Sequence, residues 1–187
     1  MRALIVACLL TVSLGACGSL PATEQTPFIP PGVFGTYQDV DTGAISFAAW
    51  AFASPANTRE NPAEAARAVV ALEYLPGELK ESPRWIGVDD SVIVRLEQAR
   101  MKVRAILGIR PDAPPQLVVN AMLALGLNLQ SGNQAAAMQV LTSPVFTFPP
   151  EQTLGILSNL PYIKEANLAT ARAESGAEAS LLGGTGR

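Results

Sequence analysis

Cys17 is the residue of this chain best suited to covalent chemistry. It ends the sequence Leu14-Gly15-Ala16-Cys17, directly behind an apolar run from Ala3 to Leu14. A thiolate is a good nucleophile for thioether formation, and small residues before it let the backbone enter a peptidase cleft. The cationic start and an apolar run well short of the roughly 20 residues of a membrane span are typical of a secretory signal. Residues 1–16 are therefore predicted to be a cleaved signal peptide.

The four residues Leu14-Gly15-Ala16-Cys17 resemble the lipobox of bacterial lipoproteins, in which an aliphatic residue and two small residues precede a cysteine. The resemblance implies diacylglycerol transfer to the Cys17 sulfur, cleavage before Cys17 and acylation of the new amino terminus. Leu14-Gly15-Ala16 would also serve an ordinary signal peptidase, but the position of the cysteine favours the lipoprotein. Gly18 stands where inner-membrane lipoproteins of enteric bacteria often carry Asp, so the resemblance favours the outer membrane in a cell that has one.

Composition limits the chemistry available to the rest of the chain. The 187 residues include no histidine, which excludes Ser-His-Asp and Cys-His catalysis and imidazole zinc sites. With 49% apolar and 16% charged residues the chain is not a disordered polymer, and a net charge of −3 provides no basic field for nucleic acid. Cys8 leaves with the signal peptide, so no intramolecular disulfide remains. We predict no metal site and no cofactor.

Two groups of carboxylates are candidates for chemistry. Asp41-Thr42-Gly43-Ala44 matches the short active-site motif of retroviral-type aspartic proteases, where it lies on a strand of an all-β subunit. Polar residues precede it here and helical sequence follows, so we interpret it as a helix cap or a turn. Asp89 and Asp90 lack the Asp-x-Asp-x-Asp-Gly pattern of a calcium loop and are predicted to cap a helix.

The period of the mature chain is helical. One apolar stripe predicts a helix over 90–107, and Asn61-Pro62 predicts another that Pro76-Gly77 ends near Leu75. Further helices are predicted at 115–129, 134–141, 150–159 and 161–173. The stretch 44–53 suits either a β-hairpin or a helix, and its alanines favour the helix. A local basic cluster is formed by Arg95, Arg100, Lys102 and Arg104, and it could meet lipid headgroups or another envelope polyanion. At helical spacing Arg100 and Arg104 share a face while Lys102 points away, so a solvated face with ion pairs is favoured.

The predicted fold is all-α, a compact bundle of about five to six short helices over 42–175. A lipidated, Pro-rich, extended tether over 17–41 precedes it, and a disordered Gly-rich tail over 176–187 follows.

Two features are candidate contact surfaces. Arg84 and Trp85 stand in a Pro-bounded loop, and both types are enriched at interaction hot spots, although Trp85 would also serve the core. The second feature is the absence of charged residues from Ala113 to Pro150. This helical hairpin is either the centre of the bundle or a partly exposed apolar surface for a partner, for self-association or for lipid, with Leu117, Leu123 and Leu127 as contacts.

The function predicted from these observations is that of a membrane-anchored cell-envelope lipoprotein. Its helical domain would be a non-catalytic scaffold or protein-interaction module, with an envelope protein as partner and the lipid at Cys17 as its link to the membrane. The alternative is a binding protein whose helices enclose a small apolar or lipid ligand, with Leu117 to Leu129 lining the cavity.

Overall fold

The structure, a computed structural model, describes residues 25–35 and 39–183. Within these ranges the chain forms seven α-helices, two short 3₁₀ turns and no β-strand. Ile109 and Phe146 form an isolated antiparallel bridge. The all-α prediction is confirmed. The helices are α1 (Val40–Ala53), α2 (Pro62–Glu81), α3 (Asp90–Leu107), α4 (Pro115–Gln130), α5 (Gln134–Val140), α6 (Pro150–Ser158) and α7 (Lys164–Gly183).

Helix α2 is the central element of the bundle. It packs against α1, α3, α4 and α6, while α7 closes the domain by packing on α1 and α3. Alanines at the α1 and α2 contacts, among them Ala44, Ala48, Ala65 and Ala68, are completely buried. Small side chains let two helix backbones approach closely, and these alanines pack beside larger core side chains such as Phe52 and Leu72.

Helix α3 has the bounds that the apolar stripe predicts. The Asp89 side chain caps it by accepting a hydrogen bond of 2.7 Å from the Ser91 backbone N–H. Gly108 ends it in the left-handed conformation, with a φ of 68°, which favours glycine. Leu96 and Ala99, in the middle of the stripe, are fully buried. The stripe is therefore the core seam of this helix.

Helix α2 does not end where the sequence predicts. It starts at Pro62, with the Asn61 side chain as cap, but continues through Pro76 and Gly77 to Glu81. A proline inside a helix removes one backbone hydrogen bond and favours a break. Here Leu75 and Leu79, on either side of Pro76, are both buried in the core, so tertiary packing outweighs the local preference.

Residues 25–35 belong to the predicted tether, yet they pack on the domain. Ile29 and Phe34 are buried in the core cluster. The Phe28 backbone N–H donates to Gln116 Oε1 at 2.6 Å, and Gln116 Nε2 donates back to the Phe28 carbonyl at 3.2 Å. An ideal Cβ on Gly77 would lie 2.6 Å from Thr26 Oγ1, so glycine at this position makes room for the segment. This part of the chain is therefore fixed to α2 and α4.

The two ends of the helical region also extend beyond the predicted bounds. The stretch 44–53 is a helix, as its alanines indicated, and it begins earlier, at Val40. At the other end, α7 runs to Gly183 although a disordered tail was predicted from 176. Ala173 and Ala177 are buried, and an ideal Cβ on Gly176 would lie 3.7 Å from a Val88 methyl. The small residues that indicated fraying instead allow α7 to lie close to the loop before α3.

Candidate functional site

The predicted lipidation site lies outside the described residues. This holds for Cys17 and for the signal-processing residues Leu14, Gly15 and Ala16. The geometry of the candidate site therefore begins with residue 25 and with the predicted contact residues of the helical domain.

Trp85, a predicted contact residue, is a core residue. Its side chain is only 2% exposed, and its indole N–H donates to Glu78 Oε1 at 3.1 Å. The Arg84 guanidinium lies over the Trp85 ring, 4.6 Å from its centroid. A buried indole with a satisfied N–H is typical of structural packing. Of this pair, only Arg84 reaches the surface.

Arg84 fastens the start of α1 to the turn after α2. Its Nη1 lies 2.9 Å from Asp39 Oδ1 and 3.4 Å from Asp41 Oδ2, and its Nη2 donates to Thr42 Oγ1 at 3.0 Å. The hydrogen bond to Asp39 raises the pKa of Arg84. Partial burial raises the pKa of Asp39, but the hydrogen bonds from Thr42 and Arg84 together lower it by a larger amount. The pKa of Asp39 is therefore below its ordinary value. Asp39 is also the N-cap of α1, a role that the sequence had assigned to Asp41 or Thr42.

Tyr74 places a hydroxyl between two carboxylates. Its Oη lies 2.6 Å from Asp41 Oδ1 and 3.0 Å from Glu78 Oε2. Burial is the largest cause that raises the pKa of Tyr74, and the hydrogen bond to Asp41 is the second. Both oppose formation of the phenolate. Asp41 lies in the first turn of a helix within an all-α domain, whereas the protease motif needs a strand of an all-β subunit. The arrangement is thus a hydrogen-bonded connection between α1 and α2.

Arg104 is buried, although the sequence placed it on a solvated face. Its side chain and that of Glu73 are each 1% exposed, and they form a bidentate pair with Nε–Oε1 and Nη2–Oε2 distances of 2.7 and 2.6 Å. Arg104 Nη1 also donates to the carbonyls of Pro111 and Ala113, both at 2.9 Å. One feature of the sequence could have indicated this role. Arg104 lies in the last turn of α3, where a cationic side chain can bind carbonyl groups that lack a backbone donor. Arg100 is buried as well.

Helix α4 divides the uncharged hairpin into a buried side and an exposed side. Val118, Val119, Met122 and Leu125 are completely or almost completely buried, as expected for the centre of a bundle. Leu117 and Leu127, two predicted contacts, are 51% and 67% exposed, while Leu123 is partly buried. The hairpin is therefore buried along one side of α4 and exposes apolar side chains along the other.

The exposed side of α4 is continuous with the packed N-terminal segment. Phe28, held at Gln116, is 70% exposed, and no charged residue occurs in 25–38 or in 113–150. We call the surface formed by residues 25–35 and the outward side chains of α4 the neutral face. Its large apolar side chains are Phe28, Leu117 and Leu127.

Two depressions flank α4. A cleft of about 160 Å³ lies between Val33 and the side chains of Leu123 and Leu127, with Arg67 at its edge. The Arg67 guanidinium pairs with Glu64, donates to the Val33 carbonyl at 3.1 Å and lies 4.6 Å from the Phe47 ring centroid. On the other side of α4, an open groove of about 710 Å³ lies between Leu117 and the turn at 142–145.

Within residues 25–35 and 39–183, no three Asp, Glu or Cys side chains are grouped so as to hold a metal ion. Over the same residues, no helix combines the length and the apolar character needed to cross a bilayer. Comparison with known protein families, with curated proteins and with solved structures finds no match to this chain.

Proposed function

We propose that this protein is a cell-envelope lipoprotein whose helical domain has a non-catalytic role as a scaffold or protein-interaction module. The observation that carries the proposal is the sequence Leu14-Gly15-Ala16-Cys17 behind a short apolar run. Modification of Cys17 would add two or three acyl chains, and more than one chain is needed for stable anchoring to a membrane. The residue after it, Gly18, favours the outer membrane if the cell has one.

The anchor is tested by labelling cells with radioactive palmitate and comparing two cysteine variants. Cys17→Ala should abolish the label and leave a precursor that keeps its 16 leading residues. Cys8→Ala is the matched control, because Cys8 lies inside the predicted signal peptide, and it should keep both label and processing. Normal labelling of Cys17→Ala would contradict the proposal.

The polar contacts of the domain support the non-catalytic part of the proposal. Asp39 and Asp41 bind Arg84, Tyr74 connects Asp41 with Glu78, and Arg104 holds a loop. Each of these side chains has a partner that joins two elements of the fold, as expected when polar groups hold a framework together.

Cross-linking in intact cells, followed by purification of the protein, should recover an envelope protein at a constant molar ratio. The Cys17→Ala variant should lose it.

The second candidate function is binding of a small apolar or lipid molecule beside α4. The specific observation in its favour is the cleft next to Leu123 and Leu127. Pockets for typical organic ligands enclose about 300–1,000 Å³, so a cleft of about 160 Å³ holds only a small molecule, and the larger groove is open. Native mass spectrometry of the delipidated protein decides between the candidates, since a bound molecule of constant mass would favour this one.

A further inference from the structure

We infer that the neutral face lies against the lipid bilayer that holds the protein, so that the domain has a fixed orientation on the membrane. This inference rests on the proposed lipid anchor at Cys17. The occupant of the exposed side of α4 would then be the membrane surface itself.

The first argument is the short distance between the anchor and the folded domain. Because residues 25–35 pack on α2 and α4, only eight chain steps separate Cys17 from the folded part at Gln25. Eight fully extended steps span at most about 28 Å. A globular domain of about 150 residues is about 38 Å across. If the domain were inverted, with its far side on the membrane, the chain could not reach from Gln25 to the lipid. The side that carries residues 25–35 must therefore be near the bilayer.

The second argument is the chemistry of that side. Phe28, Leu117 and Leu127 are exposed apolar side chains, and the segments that carry them contain no Asp, Glu, Lys or Arg. Bringing a charged group against hydrocarbon is costly, whereas burying an apolar side chain there is favourable. Loss of Arg2 with the signal peptide leaves 12 basic and 16 acidic residues, all outside 25–38 and 113–150. The two segments of the neutral face therefore bring no charge of their own to a membrane, and the charged side chains beside them include Arg67 at Val33, Glu81 at Thr26, and Arg110 and Asp112 near Leu117.

Two exposed apolar residues on α3 have a different setting. Val94 and Met101 on α3 are exposed to a similar extent, but their chain neighbours Arg95 and Lys102 are charged. These side chains lie on a mixed surface, which we expect to remain in water. They provide matched control positions, on a helix whose solvent side is separate from α4.

The test uses nitroxide labels on the lipidated protein in vesicles of phosphatidylethanolamine and phosphatidylglycerol. Maturation removes Cys8 and converts Cys17 to a thioether, so a single added cysteine is the only free thiol. The labelled variants are Leu127→Cys and the control Val94→Cys. Transfer of one leucine-sized side chain from water to an apolar medium favours the docked state about tenfold or more. We therefore expect collisions of a water-soluble nickel complex with the label at 127 to fall about tenfold on reconstitution, with oxygen accessibility rising. The label at 94 should not change.

The outcomes separate this inference from the proposed function. Protein that fails to float with the vesicles and carries no acyl mass refutes the anchor. Protein that floats, with the label at 127 as accessible to nickel as that at 94, refutes the orientation alone. Strong dipolar coupling between labels at 127 on two molecules would show that a second copy covers the face, which also overturns the inference. Leu127→Glu should restore nickel access at a label placed at Leu117, and circular dichroism checks that each variant is folded.

Discussion

Replacing Arg104 by methionine should strongly destabilise the domain. The change keeps a long side chain in the core but removes the guanidinium that binds Glu73 and the carbonyls of Pro111 and Ala113. The Glu73 carboxylate, whose side chain is 1% exposed, then loses its bidentate contact with the guanidinium. The loop between α3 and α4 also loses its connection to α3.

The magnitude follows from the cost of each group left behind. Breaking a buried ion pair by removing one partner costs about 3–5 kcal/mol. A buried carbonyl without a donor adds about 1–3 kcal/mol, although water reaching the loop and relaxation of the neighbouring groups reduce the total. We expect a loss of about 4 kcal/mol in the free energy of unfolding, which is a large part of the 5–15 kcal/mol typical of a domain.

The assay is urea unfolding, followed by circular dichroism, of the lipid-free protein that starts at residue 17 and carries Cys17→Ala. Arg95→Met is the matched control, because Arg95 is exposed on the same helix, and it should change stability by less than about 0.5 kcal/mol. Adding Glu73→Leu to Arg104→Met should recover part of the loss, since the buried carboxylate that lost the guanidinium is removed as well. A loss below about 1 kcal/mol for Arg104→Met would refute the assignment of this pair as the buried connection between α2 and α3.

Further predictions concern backbone and tyrosine positions. Gly108→Ala should destabilise by about 2–4 kcal/mol, because alanine disfavours the left-handed conformation and an ideal Cβ would overlap the Phe148 ring; thermal denaturation should give a lower Tm. Gly155→Ala in α6 has no neighbour within 4 Å and should instead raise the stability by about 0.5–1 kcal/mol in the same experiment. Tyr74→Phe should cost about 1–2 kcal/mol, measured by urea unfolding, because Asp41 loses its phenol donor. Since the pKa of Tyr74 is raised in the folded state, its contribution is complete below the ordinary value of 10.0 and declines above it, so wild type and Tyr74→Phe should converge at high pH.

The local pattern of the sequence predicts several elements because their signals involve neighbouring residues. The apolar stripe and the caps of α3 lie within one segment, so its bounds from Asp90 to Leu107 follow from periodicity, Asp89 and Gly108. The same applies to the starts of α2, α4 and α6, where proline occupies the first turn. The exposed leucines of α4 were named as contacts for a related reason, since a stretch without charge must be either buried or a surface of low polarity.

Other features depended on residues distant in sequence. Pro76-Gly77 predicts a helix end, but Thr26 packs against Gly77 from a segment about 50 residues earlier, and the core holds both sides of Pro76. Arginine is a residue type that usually stays in solvent. Arg104 is buried because Glu73, 31 residues away in the sequence, packs against it and binds its guanidinium.

The sequence by itself determined the all-α class, the bounds of the most periodic helices and the candidate anchor at Cys17. The tertiary structure decided that residues 25–35 are part of the domain, that Trp85 and Arg104 are buried, and that one side of α4 remains exposed. Periodicity reports which side of a helix is apolar, because that property repeats along the chain. Whether an apolar side is covered depends on which distant segments pack against it, and this is settled only when the whole chain has folded.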